Sequence, residues 1–127
     1  MSPQFPIRSL LWLDCTAAGL VGVAMLALSG PLAGWFAVPR AVLVGMAVTN
    51  LIYGAFSYSL ARQSEAPRAR VRALVLANFA WAAICAGLAA FLAGPESWLG
   101  ASYILGEGMV VGTLAAVEAR ALAQRPG

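Results

Sequence analysis

Along the chain, long apolar stretches alternate with short interruptions of glycine, proline and arginine. Four such stretches run from Ser9 to Ser29, Arg40 to Ala61, Val71 to Ala93 and Ser97 to Leu122. Each holds about 20 residues, which at about 1.5 Å per residue spans a hydrocarbon core of about 30 Å. Gly30-Pro31 and Gly94-Pro95 are expected to end the first and third helices, Pro39 precedes the second, and Glu65-Ala66-Pro67 separates the second from the third. The pattern predicts an all-α membrane protein in which four transmembrane helices form a single domain over residues 1–127.

Composition strengthens this reading. Hydrophobic residues make up 61% of the chain, charged residues 10%, and the mean hydropathy is +0.82. A soluble domain averages about 45–50% apolar and about 25% charged, so the excess apolar surface needs lipid as its solvent. All eight basic residues are arginines. Arg8, Arg62, Arg68, Arg70, Arg72, Arg120 and Arg125 fall at the termini and the middle loop, and Arg40 alone falls on the opposite side. This bias predicts that both termini face the cytoplasm, with Trp35 and Trp98 at the outer interface and Trp12 at the inner one. Arginines confined to loops do not form a nucleic-acid surface. The segment from Met1 to Ile7 lacks a positive n-region, so the first helix is expected to be retained rather than cleaved. With no histidine and two cysteines, no metal, haem or other cofactor is expected. Cys15 and Cys85 are expected to differ in depth by about 12 Å, too far for a disulfide, and are read as packing residues.

The chain also carries signs of duplication. An offset of 64 aligns Asp14 with Asn78 and Gly30-Pro31 with Gly94-Pro95; an offset of 58 aligns Gly54 with Gly112 and Ala61-Arg62 with Ala119-Arg120. Two helical hairpins of the same orientation, a 2+2 parallel repeat, are the expected architecture. Glu107 breaks the equivalence, because it falls opposite Thr49.

A charged group at the bilayer centre costs about 2.5–3.5 kcal/mol on insertion scales, so intramembrane polar residues are the candidates for function. Glu107 stands out. It lies about 15 Å deep in the last helix, between Gly106 and Gly108, which are expected to admit a neighbouring helix or a ligand. It is a candidate proton acceptor or a site for a lipophilic cation; the structural alternative is a carboxyl hydrogen-bonded to Asn50 or Tyr53 that joins two helices. Asp14 and Asn78 lie at matching depths and are expected to face one axis, with Asp14 read first as the partner of Arg62 or Arg120 and second as part of a carboxyl relay. Asn50, Tyr53 and Gly54 occupy adjacent turns, as do Asn78 and Trp81, and Tyr103 lies one turn before Glu107. These residues could line a pocket or form a hydrogen-bonded seam. Glu118 is read as close enough to the cytoplasmic end to reach water. The pairs Gly108/Gly112, Ala18/Gly22 and Ala83/Gly87 are small-xxx-small patterns that predict close helix approach.

Leu13-Asp14, Val38-Pro39-Arg40, Asn78 with Trp81, Gly106-Glu107 and Val117-Glu118 together resemble a group of small, uncharacterised four-helix bacterial inner-membrane proteins. The resemblance covers nearly the whole chain. It implies the topology, an inner-membrane location and the same polar positions, and no activity. Asp14 and Asn50 are loosely similar in placement to the carboxylate and asparagine of proteobacterial antimicrobial compound efflux proteins. Small multidrug resistance transporters, which work as antiparallel dimers, differ in lacking this one-sided arginine bias.

Three functions follow as expectations. The first is small-molecule binding or proton-linked transport, with Glu107 as the protonatable site, Asn50, Tyr53, Asn78, Trp81, Tyr103 and Asp14 around it, and a lipophilic or cationic ligand. The second is an accessory subunit that contacts another membrane protein. The third, a membrane enzyme acting on a lipid or isoprenoid, needs two acid/base groups on one cavity, and only Asp14 and Glu107 qualify. A homodimer or larger complex would enlarge the pocket that four helices can enclose.

Overall fold

The structure, a computed structural model, describes residues 7–63 and 66–124; the expectations for Met1 to Pro6, Glu65 and Arg125 lie outside these residues. It is all α. Five helices follow in order: α1 Ile7–Ala27, α2 Ser29–Phe36, α3 Arg40–Ala61, α4 Arg68–Leu92 and α5 Trp98–Ala123. All but α2 are long and apolar enough to cross a membrane, at 21, 22, 25 and 26 residues. The chain is a multi-pass membrane protein. Leu20, Val23, Ile52, Leu76, Ile84, Phe91 and Met109 point outward from these four helices, giving an apolar exterior that water would not tolerate and lipid does.

The starts of α3 and α4 follow from proline. Pro39 and Pro67 sit in extended conformation immediately before them, at φ −59° and −58°. Their fixed φ suits a helix entry, and their carbonyls accept the amides of Val42 and of Arg70 and Val71.

The first interhelical connection departs from expectation. Gly30-Pro31 does not end a helix; it lies in the first turn of α2, one residue after α1 stops at Ala27. A proline is tolerated there because first-turn amides have no intrahelical acceptor. The helix ends at Ala37, which adopts the left-handed conformation at φ 53° and closes the last turn through its amide on Ala33. Arg40 ties the start of α2 to α3, its Nε donating to Ser29 Oγ at 3.0 Å. At the α4–α5 connection, Ser97 Oγ donates to the Leu92 carbonyl that α4 leaves open.

α1 packs chiefly along α3, and α4 chiefly along α5. Small residues set both approaches. A side chain on Gly54 would meet the backbone of Gly19 and Cys15 and the methyl of Ala18, and one on Gly22 would meet Leu51 at 2.8 Å. Gly108 lies against Ala82 and Cys85, and Gly112 against Ala82. Ala83 and Gly87 instead face outward. Gly106 also has open space around it, so of the two glycines beside Glu107 only Gly108 brings a helix close.

Two apolar clusters close the ends of the bundle. One, around Met25, Phe36, Leu43, Met46, Cys85 and Ile104, lies toward α2. The other, around Leu11, Leu60, Val71, Leu74, Ala115 and Leu122, lies toward the α3–α4 connection. Tyr53 packs against both.

Candidate functional site

Helical periodicity places polar side chains on the inward stripe of each long helix. Asp14 and Met25 on α1 are three turns apart, as are Glu107 and Glu118 on α5; Asn50 and Ser57 on α3 are two turns apart, and Asn78 and Trp81 on α4 one turn. These stripes meet in two groups.

The first group surrounds Glu107. Trp81 Nε1 donates to its Oε2 at 3.1 Å, Tyr103 Oη donates to Oε1 at 3.4 Å, and Asn50 Nδ2 lies 3.4 Å from both oxygens. Asn50 Nδ2 also approaches the Met25 sulfur at 3.9 Å. Tyr103 is fixed from the far side by Phe36 of α2, whose ring stacks on it at 5.2 Å. The short helix α2 thus acts on the site through one aromatic contact. Glu107 accepts three donors, two of them from other helices, and the group contains no cation. A carboxyl held in this way can keep a proton, or release it and receive a positive charge in its place.

The second group surrounds Asp14, and it corrects two expectations. Asp14 makes no ion pair with Arg62 or Arg120: Asn78 Nδ2 holds it at 3.2 Å, and Asp14 is 6% exposed. Arg62 instead lies over the Tyr58 ring at 5.7 Å. The same Asn78 amide donates to Glu118 Oε1 at 3.3 Å. Glu118 does not reach water; it is 0% exposed. The five residues between Glu118 and the end of α5 suggested access to the interface, but Leu122, one turn on, is buried in the cluster that seals that end. Ser57, which sequence reasoning did not single out, is the fourth member and is also fully buried. Its position two turns from Asn50 was the available signal.

Between the two groups lies a cavity of about 80 Å³ lined by Asp14, Asn50, Tyr53, Asn78, Trp81 and Glu107, with room for several water molecules. Tyr53 turns its hydroxyl away, donating to the Ala77 carbonyl at 2.9 Å, and offers its ring. Six of the seven expected site residues therefore line one space; the seventh, Tyr103, reaches it through Glu107. Asn50 and Glu107 both face this cavity and bond each other directly.

On the membrane side the cavity adjoins an open apolar groove of about 600 Å³ between α1 and α5, bounded by Leu10, Leu13, Met109, Thr113 and Val117. Ala17, Val110 and Leu114 line both spaces. Cys15 and Cys85 are free thiols. Among the described residues no group of histidine, cysteine and carboxylate side chains is arranged to hold a metal. Comparison with protein families, curated proteins and solved structures finds no match to this chain.

Proposed function

We propose that this protein binds a small lipophilic cation drawn from the bilayer and exchanges it for a proton at Glu107. The observation that carries this reading is the joining of a polar cavity at Glu107 to a lipid-facing groove through Ala17, Val110 and Leu114. The groove suits an apolar tail. The cavity supplies a carboxyl and the rings of Tyr53 and Trp81, groups that stabilise a positive headgroup by charge and by cation–π attraction. The cavity by itself is too small for a drug-sized molecule, so the ligand's bulk belongs in the groove. The arginine bias supports an orientation with both termini in the cytoplasm of a bacterial inner membrane, and the contact of Asp14 with its offset partner Asn78 supports the duplicated-hairpin reading.

The test is equilibrium binding of tetraphenylphosphonium to the reconstituted chain across a pH series. A cation competing with a proton binds more tightly as pH rises. Glu107→Gln abolishes that dependence and weakens binding by tenfold or more, about 1.4 kcal/mol. Equal binding by parent and variant at every pH rejects the proposal.

The outward-facing Ala83 and Gly87 favour a second reading, an accessory subunit. On that reading Glu107→Gln is silent, and larger residues at these two positions disrupt a complex recoverable in mild detergent.

A further inference from the structure

We propose that Asp14 and Glu118 form a second ion site, holding one exchangeable proton between their carboxyl groups, and that this pair exchanges its proton through the cavity that reaches Glu107.

Four helices contribute to the site. Asn78 of α4 bridges the two carboxyls with one amide, at 3.2 Å to Asp14 of α1 and 3.3 Å to Glu118 of α5. The shared amide brings the two carboxyls together, each having an oxygen within 3.3 Å of the same nitrogen. Two carboxylates that share one amide donor in a low-dielectric interior, with no cation beside them, do not both remain ionised, and one proton between them relieves the repulsion. Within the described residues neither carboxyl forms an ion pair. The groups facing the pair are Tyr53 and Ser57 from α3 and Asn78 from α4, none of them charged.

A second observation points to an occupant. Glu118 Oε2 and Ser57 Oγ are fully buried and lack a hydrogen-bond partner. A buried polar atom without a partner is costly, so each marks a place for a donor or a proton. A proton on Glu118 Oε2 would turn that atom into a donor toward Asp14.

The placement gives the pair a route. Asp14 belongs both to the pair and to the lining of the 80 Å³ cavity, whereas Glu118 lies behind it. A proton leaving the Glu118 oxygen for Asp14 breaks one O–H bond and forms another. A second transfer carries it from Asp14 to water in the cavity, which Glu107 also lines. A proton arriving from the cavity reverses the two transfers, so one positive charge is exchanged and the pair is reprotonated through Asp14, its member on the cavity.

The pair is tested without any ligand, so its failure is separate from failure of the cation reading. The full chain, reconstituted in phosphatidylcholine vesicles, is titrated while the carbonyl stretch of protonated carboxyls is followed by infrared difference spectroscopy. The parent shows a pH-dependent signal from the pair. Glu118→Gln and Asp14→Asn each move its transition, the double variant releases one proton fewer per chain, and Glu107→Gln leaves the pair's transition in place. The proposal is overturned if the double variant keeps the parent's full signal and proton count. It is equally overturned if sodium at constant ionic strength displaces the proton, which would make this a sodium site. If the double variant does not fold, as judged by circular dichroism, Glu118→Gln decides alone: an unmoved transition rejects the pair.

Discussion

At the scale of single residues, the donors around Glu107 are unequal. Trp81 Nε1 lies at 3.1 Å and Tyr103 Oη at 3.4 Å, and hydrogen bonds weaken with stretch and misalignment. Trp81→Phe, which keeps an aromatic ring but loses the donor, is therefore expected to cost about 1 kcal/mol, within the range for hydrogen bonds between membrane helices. Tyr103→Phe should cost less than about 0.5 kcal/mol, because the Phe36 stacking survives. Thermal unfolding in detergent, followed by circular dichroism, checks the order; a larger loss at Tyr103 would contradict it. Glu107 was visible in the sequence because a carboxylate about ten residues inside an apolar helix has few structural explanations. Glu118 was misjudged because its distance from the helix end does not report what closes that end, and here Leu122, one turn on, is buried in the apolar cluster there.

At the scale of elements, close packing depends on where a glycine points. A methyl group at Gly108 would sit 2.8 Å from Cys85 Cβ and 3.2 Å from the Ala82 carbonyl, and neither atom can yield without moving α4. Gly108→Ala is expected to cost about 1–3 kcal/mol, the range for overpacking, whereas Gly106→Ala, with open space around it, should be neutral. Comparing the unfolding temperatures of the two variants separates helix approach from local backbone effects, since both glycines flank the same carboxyl. The four long helices were legible from length and hydropathy, and five of their eight ends fall on or within one residue of the predicted bounds. The helix α2 was not. Gly-Pro signals a break in a running helix and equally a helix start, and eight residues of membrane-edge sequence carry no periodicity that distinguishes the two.

At the scale of the whole molecule, the light seam between the α1–α3 pair and the α4–α5 pair holds the cavity and opens to the groove. If the groove is the entry path, Val110→Trp, at a position 67% exposed and shared by both spaces, should weaken tetraphenylphosphonium binding several-fold by filling it. The infrared signal of the Asp14–Glu118 pair should be unchanged, because Glu118 and Ser57 lie outside the lining to which Val110 belongs. Binding at parental strength by a folded Val110→Trp chain would exclude lateral entry through this seam.

Some of this was settled by the sequence. Twenty-residue apolar runs in a chain with little charge can satisfy their backbone only as helices in lipid, so the fold class and the number of spans follow from local physics. The inward stripes of Asp14, Asn50, Asn78, Trp81 and Glu107 follow from helical periodicity in the same way. The tertiary structure alone decided which stripes meet and at what depth. It paired Asp14 with Asn78 and Glu118 rather than with an arginine, joined Glu107 to Asn50 and Trp81, and left a cavity between the two groups. Those outcomes depend on the rotation and offset of each helix against its neighbours, which glycine and alanine contacts fix across the bundle and which no single helix encodes.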